Sequence, residues 1–141
     1  MIIHTDSLME LVYEPKTDIL SVKWPDLIDV PVSVIQHSFS KLVDSINHYH
    51  ITKLLIDSKG TVTSISDEEY KPLAMQLIMG LAATPLTKIA RVISEDQLRE
   101  NRTKAYNQEV QSKMNFKFKS KEFDNKESAL HWLVSTEDLN Q

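Results

Sequence analysis

The chain has 141 residues with 16 basic and 20 acidic side chains, a formal net charge of −4 and no cysteine. This length suits one domain with one core, and charges of both signs interspersed along the chain give no field that would attract nucleic acid. The lack of cysteine excludes disulfides, thiolate metal sites and thiol nucleophiles, and two glycines are too few for the usual phosphate-binding loop. We expect no cofactor and no nucleic-acid partner.

The amino-terminal residues 1–6 lack the basic start and apolar run of a signal peptide. No apolar stretch approaches the roughly 18 residues needed to cross a bilayer. We therefore expect a cytoplasmic protein, with one ordered domain over about residues 7–135 and loose ends at residues 1–7 and 136–141.

The first half of the chain predicts a β-hairpin, a helix and a buried strand. Two short apolar-rich runs, residues 8–13 and 19–24, are separated by a turn-forming cluster that contains a proline. Apolar residues then recur at helical spacing over residues 33–49. A continuous apolar run follows at residues 53–57, which is typical of a parallel strand buried on both faces.

A second helix follows a loop over residues 58–65. Ser66 and Glu69 have the spacing of a capping box, although Pro72 makes the first turn irregular or marks the start of the regular helix. The helix is expected to run to about Ala83, before a proline. The apolar-rich run at residues 88–93 predicts the next strand.

The last third of the chain predicts one further strand between two helices. Ser94 opens a polar helix that runs to about residue 111, residues 116–121 form a strand, and Asp124 caps a final helix. The predicted order is β-β-α-β-α-β-α-β-α. Strands that alternate with helices after an opening hairpin predict an α/β fold with a single mixed, mostly parallel sheet of about five strands.

Several segments in this element order carry a family resemblance: Val22-Lys23-Trp24-Pro25, Leu54-Leu55-Ile56-Asp57, Lys88-Ile89-Ala90-Arg91-Val92, and Phe123-Asp124 followed by Ala129-Leu130-His131-Trp132-Leu133. The chain resembles the STAS-like family over nearly its whole length. The similar branch is the SpoIIAA-like one, which is related to bacterial anti-sigma-factor antagonists and is compared with lipid carriers of the CRAL-TRIO type. The resemblance implies a STAS-like fold and a non-catalytic regulatory role, or carriage of a nonpolar ligand.

The resemblance also points to a serine. In the antagonists a phosphorylatable serine stands in an Asp-Ser-Ser-Gly-like motif at the start of the helix after the third strand. The nearest match is Ser64-Ile65-Ser66-Asp67-Glu68, in which Ser66 has the serine's place but the glycine is missing. A phosphate at Ser66 would meet the positive end of the helix. Because Glu69 completes a capping box, we expect Ser66 to act chiefly as the helix cap.

The loop after the third predicted strand is a candidate site, because open α/β sheets bind ligands at the carboxyl ends of their strands. Asp57 and Ser58 lie there, followed by Lys59. A serine next to a lysine could supply a nucleophile and a base, which makes a hydrolase the third hypothesis. A turn in which Asp57 caps backbone amides accounts for the same residues.

The second helix carries more apolar surface than one core face requires. Leu73, Leu77, Ile78 and Leu81 form one arc, and Met75, Met79 and Ala82 form a second arc, with Tyr70 one turn before Leu73. The excess could pack under a neighbouring helix, or contact a second subunit, a protein partner, a nonpolar ligand or a membrane surface. We favour a protein-interaction module, a homodimer included, with a lipid carrier or peripheral membrane binder as the alternative.

Two polar clusters complete the candidates. Lysines alternate with phenylalanines near the last predicted strand, at Lys113, Phe116, Lys117, Phe118, Lys119 and Lys121. Such a stripe could attract phosphate or anionic lipid, but lysine on an edge strand more often prevents sheet-to-sheet aggregation. His48 and His50 flank Tyr49 without a third ligand nearby in the sequence, so we expect no metal site.

Overall fold

Short apolar runs that form strands alternate along the chain with amphipathic helices, and the strands form one sheet with helices on both of its faces. The computed structural model describes residues 1–59, 67–93 and 118–135. In these ranges it contains six strands and three helices: β1 (Ile2–Thr5), β2 (Glu10–Glu14), β3 (Ile19–Lys23), α1 (Val32–Tyr49), β4 (Lys53–Asp57), α2 (Asp67–Ala82), β5 (Lys88–Val92), β6 (Lys119–Phe123) and α3 (Lys126–Val134).

The strands lie side by side in sequence order, from β1 to β6. The pairs β1–β2 and β2–β3 are antiparallel, whereas β3–β4, β4–β5 and β5–β6 are parallel. The sheet is therefore mixed, with an antiparallel side and a parallel side that meet at β3. β4 stands inside the parallel side, and its three central residues are buried, as its continuous apolar run predicted.

Side chains that alternate along the strands supply two cores. On one face, which we call the front, strand residues such as Leu20, Leu54 and Ile89 pack with α1 and α2. On the back, Leu55 and Ala90 pack against α3 through a smaller apolar cluster. The larger front core is covered by two helices that contact each other, and their mutual packing shapes the surface considered below.

The strand count and part of the element order differ from the prediction. The sheet has six strands rather than about five, because β1 forms within residues 1–7, which were expected to be loose. The structure thus begins β-β-β-α. The last strand, predicted at residues 116–121 or slightly longer, begins later, at Lys119, and ends at Phe123. The last helix is capped by Asn125 rather than Asp124, since the Asn125 side chain accepts a hydrogen bond from the Ser128 amide at 2.8 Å.

Some predictions fall outside the described residues. They are the cap at Ser66, the helix that begins at Ser94, the first residues of the lysine stripe and the carboxyl-terminal residues 136–141.

A buried lysine explains how α3 ends on the back of the sheet. Lys88 is buried in β5, and its ammonium group donates to the carbonyl of Trp132 at 3.0 Å and to that of Ser135. The ammonium also lies 5.1 Å from the centre of the Trp132 ring. The last carbonyls of a helix lack partners within the helix and attract cations. Lys88 therefore caps the carboxyl end of α3 from the sheet.

A second anchor holds the hairpin to the amino end of the parallel strands. Asp18 has a positive φ of 58°, which aspartate tolerates better than most residues. Its carboxylate accepts hydrogen bonds from the Tyr13 hydroxyl at 2.6 Å and from the amide and hydroxyl of Thr52. The hydrogen bond to Asp18 is the main reason that the pKa of Tyr13 is raised to about 12.

The Asp6 carboxylate explains why β1 is ordered. One oxygen accepts hydrogen bonds from the Leu8 and Met9 amides at 2.8 and 2.9 Å. The other lies 2.9 Å from His4 Nε2 and accepts from the Ser38 hydroxyl at 3.0 Å. Because Ser38 belongs to α1, this network ties the β1–β2 connection to the helix above it.

We predict that Asp6 contributes stability that acid removes. Burial alone would raise its pKa, but hydrogen bonds from His4, Met9, Leu8 and Ser38 outweigh burial and lower the pKa from 3.8 to about 2. The folded-state pKa is the lower one, so the contribution is complete above about pH 4 and is lost as the pH falls towards 2. Its size is on the order of 2 kcal/mol.

Urea denaturation of the wild type and Asp6→Asn at several pH values tests this prediction. The wild type should be more stable at pH 7, and its advantage should shrink between about pH 4 and 2. The exposed Asp44→Asn is the control and should show no comparable change. An advantage that stays constant over this range would contradict the prediction.

Candidate functional site

Ser58 lies at the carboxyl end of β4 in a structural position. It is only 4% exposed, and both its amide and its hydroxyl donate to the Val92 carbonyl, at 2.9 and 3.1 Å. Ser58 therefore extends the contact between β4 and β5 by one residue. Its hydroxyl proton is directed at a main-chain carbonyl, whereas a serine nucleophile needs a side-chain base to accept that proton.

Asp57 and Lys59 form a turn beside Ser58. The Asp57 carboxylate accepts a hydrogen bond from the Lys59 amide at 3.2 Å and lies 3.8 Å from the Lys23 ammonium. The Lys59 ammonium reaches away to the Asp124 carbonyl at 3.3 Å. The hydrogen bond from the Lys59 amide matches the turn predicted for Asp57. The Lys59 ammonium donates to the Asp124 carbonyl, just before α3, and not to Ser58.

The two apolar arcs of α2 have different surroundings. Leu73, Leu77 and Leu81 are buried in the front core, and Ile78 packs against that core while partly exposed. Tyr70 and Ala82 are half-buried and also contact the core, so these two candidate residues belong partly to the packing. Of the candidates in the second arc, Met75 is half-buried and Met79 is 55% exposed. Met79 is thus the apolar side chain that α2 presents to solvent.

A groove runs between α1 and α2 beside Met79. Its volume is about 190 Å³, and its walls combine apolar and polar side chains from both helices: Gln36, Phe39, Ser40, Val43, Asp44, Gln76, Leu77 and Gly80. A Cβ atom placed on Gly80 would lie 3.1 Å from Val43 Cγ2, so the two helices approach closely there. The amides of Gln36 and Gln76 meet across the groove at 3.5 Å.

Charged side chains of both signs stand on the two helices that form the groove. Asp44 lines it from α1 and is exposed. Glu69, also exposed, precedes Gly80 by eleven residues, which places it on the same side of α2 but about 16 Å away along the helix axis. Lys41 lies three residues before Asp44, the spacing at which two side chains are neighbours on a helix, whereas Lys71, nine residues before Gly80, projects from the opposite side of α2.

The sequence interpretation missed a second exposed apolar segment. Ile28, Val32 and Val34 are 51%, 40% and 36% exposed, in the connection from β3 and the first turn of α1. Pro31 occupies the cap position of α1 without a side-chain hydrogen bond, so an apolar stretch leads directly into the helix. The signal was present over residues 27–34, where five large aliphatic residues are interrupted by Asp29, Pro31 and Ser33. Val32 lies four residues before Gln36 and shares its side of α1.

Within residues 1–59, 67–93 and 118–135, no three metal-binding side chains form a cluster. None of the helices in these ranges combines the length and apolarity needed to cross a membrane. His48 packs edge-on to Tyr49, with 4.8 Å between ring centres.

No family model, curated protein or solved structure matches this chain. Its function is therefore inferred from the geometry of the chain itself.

We predict that replacing Ser58 affects stability rather than turnover. Ser58→Ala removes the buried hydrogen bond from its hydroxyl to the Val92 carbonyl, which still accepts from the Ser58 amide, so the cost should be about 1 kcal/mol. The exposed Ser120→Ala is the matched control and should cost less than about 0.5 kcal/mol. Urea denaturation measures both. Esterase or phosphatase activity in the wild type that disappears in folded Ser58→Ala would contradict the structural role.

Proposed function

We propose that this chain is a non-catalytic interaction module of the STAS-like kind, which docks a protein partner or a second copy through α2 and the adjoining side of α1. The observation that carries the proposal is the position of Met79. This large apolar side chain is 55% exposed, rather than packed under another helix, and it precedes Gly80, which lines the groove. Methionine adapts its shape to different contacts, which makes it common on protein-binding surfaces.

The size of the groove favours this proposal over a carrier for a nonpolar molecule. Ligand pockets usually enclose about 300–1,000 Å³ and cover most of the ligand. The groove between α1 and α2 offers about 190 Å³ and opens to solvent along the helices. A space of this size suits a few protruding side chains of a partner better than a whole lipid.

The surroundings of Ser58 favour a binding role over the hydrolase hypothesis. A nucleophile must present its oxygen to the substrate and needs a base that takes its proton. The Ser58 side chain is buried and donates to a carbonyl, and the neighbouring lysine donates to another carbonyl. The exposed side chains of α1 and α2 are instead apolar and charged, and such side chains can contact a protein partner.

We predict that position 79 lies within an interface in the cell. A photoreactive amino acid at Met79 should crosslink strongly to one protein, either the chain itself or a partner, because a docked surface holds the probe against its neighbour. The matched control is Val134, which is 47% exposed on α3, on the other face of the sheet. Crosslinking in the native host, followed by mass spectrometry of the products, compares the two positions.

Met79→Glu tests the same surface with the photoreactive probe moved to another position. With the photoreactive residue at Val32, near the same groove, crosslinking should fall about tenfold or more when Met79 is glutamate, while the free energy of unfolding changes by less than about 0.5 kcal/mol. Equal crosslinking from positions 79 and 134 would contradict the proposed function.

A further inference from the structure

We propose that α3 is a strap that opens from the back of the sheet while the front core stays folded. Opening means that α3 leaves the sheet as a unit, at its connection from β6, and that the strands keep their packing with α1 and α2. The inference concerns the back of the molecule, so it does not depend on the proposed function.

The two cores lie on opposite faces of the sheet, which allows α3 to leave without the other helices. α3 packs on β4, β5 and β6 from the back, whereas α1 and α2 pack with each other over the front core. The back cluster is the smaller of the two, and α3 contributes Ala129, Trp132 and Leu133 to it. The front core therefore keeps its own contacts when these three side chains are withdrawn.

The length of α3 makes the helix depend on the sheet. α3 has nine residues, and helices shorter than about 12–15 residues are marginal in water without tertiary packing. Leaving the sheet and losing the helical hydrogen bonds are therefore one event. The main-chain amides of α3 report that event, because they exchange with solvent once these hydrogen bonds are lost.

A buried charge under α3 opposes its docking. Lys88 is 4% exposed, and within the described ranges its ammonium group forms no ion pair with a carboxylate. Its partners are the carbonyls of Trp132 and Ser135, at the end of α3. A buried charge is costly when no opposite charge accompanies it. When α3 opens, the ammonium group regains water, which lowers the free energy of the open state.

An unpaired donor of α3 acts in the same direction. The indole nitrogen of Trp132 is buried, and none of the described residues accepts its hydrogen bond. An unmet buried donor costs free energy, and water pairs it once the helix opens. Trp132 thus brings α3 both its largest buried side chain and a group that favours opening.

The buried polar side chains of the front contrast with these two groups. Ser38 and Thr84 are neutral, and their hydroxyls donate to the Asp6 carboxylate and the Leu81 carbonyl. Among the described residues, the buried charge and the unpaired buried donor both lie where α3 meets the sheet. This coincidence is the observation that assigns the opening to α3 rather than to α1 or α2.

Native-state hydrogen exchange, followed by NMR on the full chain, tests the inference. The amides of residues 130–134 in α3 should exchange about tenfold or more faster than the slowest amides of α1, because opening of α3 requires less than global unfolding. Small additions of urea should change the exchange of the α3 amides only weakly, since opening of one helix exposes little surface.

Two matched substitutions separate opening of α3 from global unfolding. Leu42 in α1 and Leu133 in α3 are both 0% exposed. Leu42→Ala should speed exchange of the slowest α1 amides about thirtyfold or more and that of the α3 amides less than about twofold. Leu133→Ala should speed exchange of the α3 amides about thirtyfold or more. If circular dichroism shows that Leu42→Ala is unfolded, Ile46→Val makes the same comparison, with an increase of about fivefold in α1.

Two results would overturn the inference. Equal acceleration of the α1 and α3 amides by Leu42→Ala or Ile46→Val would show that α3 opens only when the whole chain unfolds. Wild-type α3 amides as slow as the slowest α1 amides would show the same. Neither result bears on the crosslinking from position 79, so the strap and the proposed function are tested separately.

Discussion

The close packing of α1 against α2 is the constraint on which the front surface depends. Gly80 allows this approach, since a Cβ atom there would lie 3.1 Å from Val43 Cγ2. The contact fixes the spacing of the helices, and this spacing leaves a groove whose floor is Phe39 and Leu77. It also sets the rotation of α2, which buries the leucines and leaves Met79 outside. The exposed apolar surface of α2 follows from that one arrangement.

The sequence was sufficient where burial alone decides the structure. β4 has its predicted limits, because a strand buried on both faces is apolar throughout. α1 also lies within one residue of its prediction, and it ends where His50 adopts a positive φ of 53°. β1 was missed because it is short, and its order depends on Asp6 reaching Ser38, which is 32 residues away. Contacts between distant residues leave no local periodic pattern.

The candidate site was predictable in its parts but not in its arrangement. The excess apolar surface of α2 identified Met79, but it could not separate Met79 from the half-buried Met75 of the same arc, because the surroundings of α2 decide how far each side chain is covered. The groove is formed by residues about 40 positions apart on two helices. A single glycine within a helix does not indicate from sequence that another helix packs against it there. Ser58 was ambiguous for a similar reason: its acceptor, Val92, belongs to the next strand.

A double-mutant cycle between Gly80 and Val43 tests the central constraint most directly. Gly80→Val should lower the free energy of unfolding by about 1–3 kcal/mol, because the added methyl groups meet the Val43 side chain. In the Val43→Ala background the same substitution should cost at least about 1 kcal/mol less, since the obstructing methyl groups are gone. Urea denaturation of the four proteins measures this coupling. Costs that add to within about 0.5 kcal/mol would show that the contact does not set the spacing of the helices.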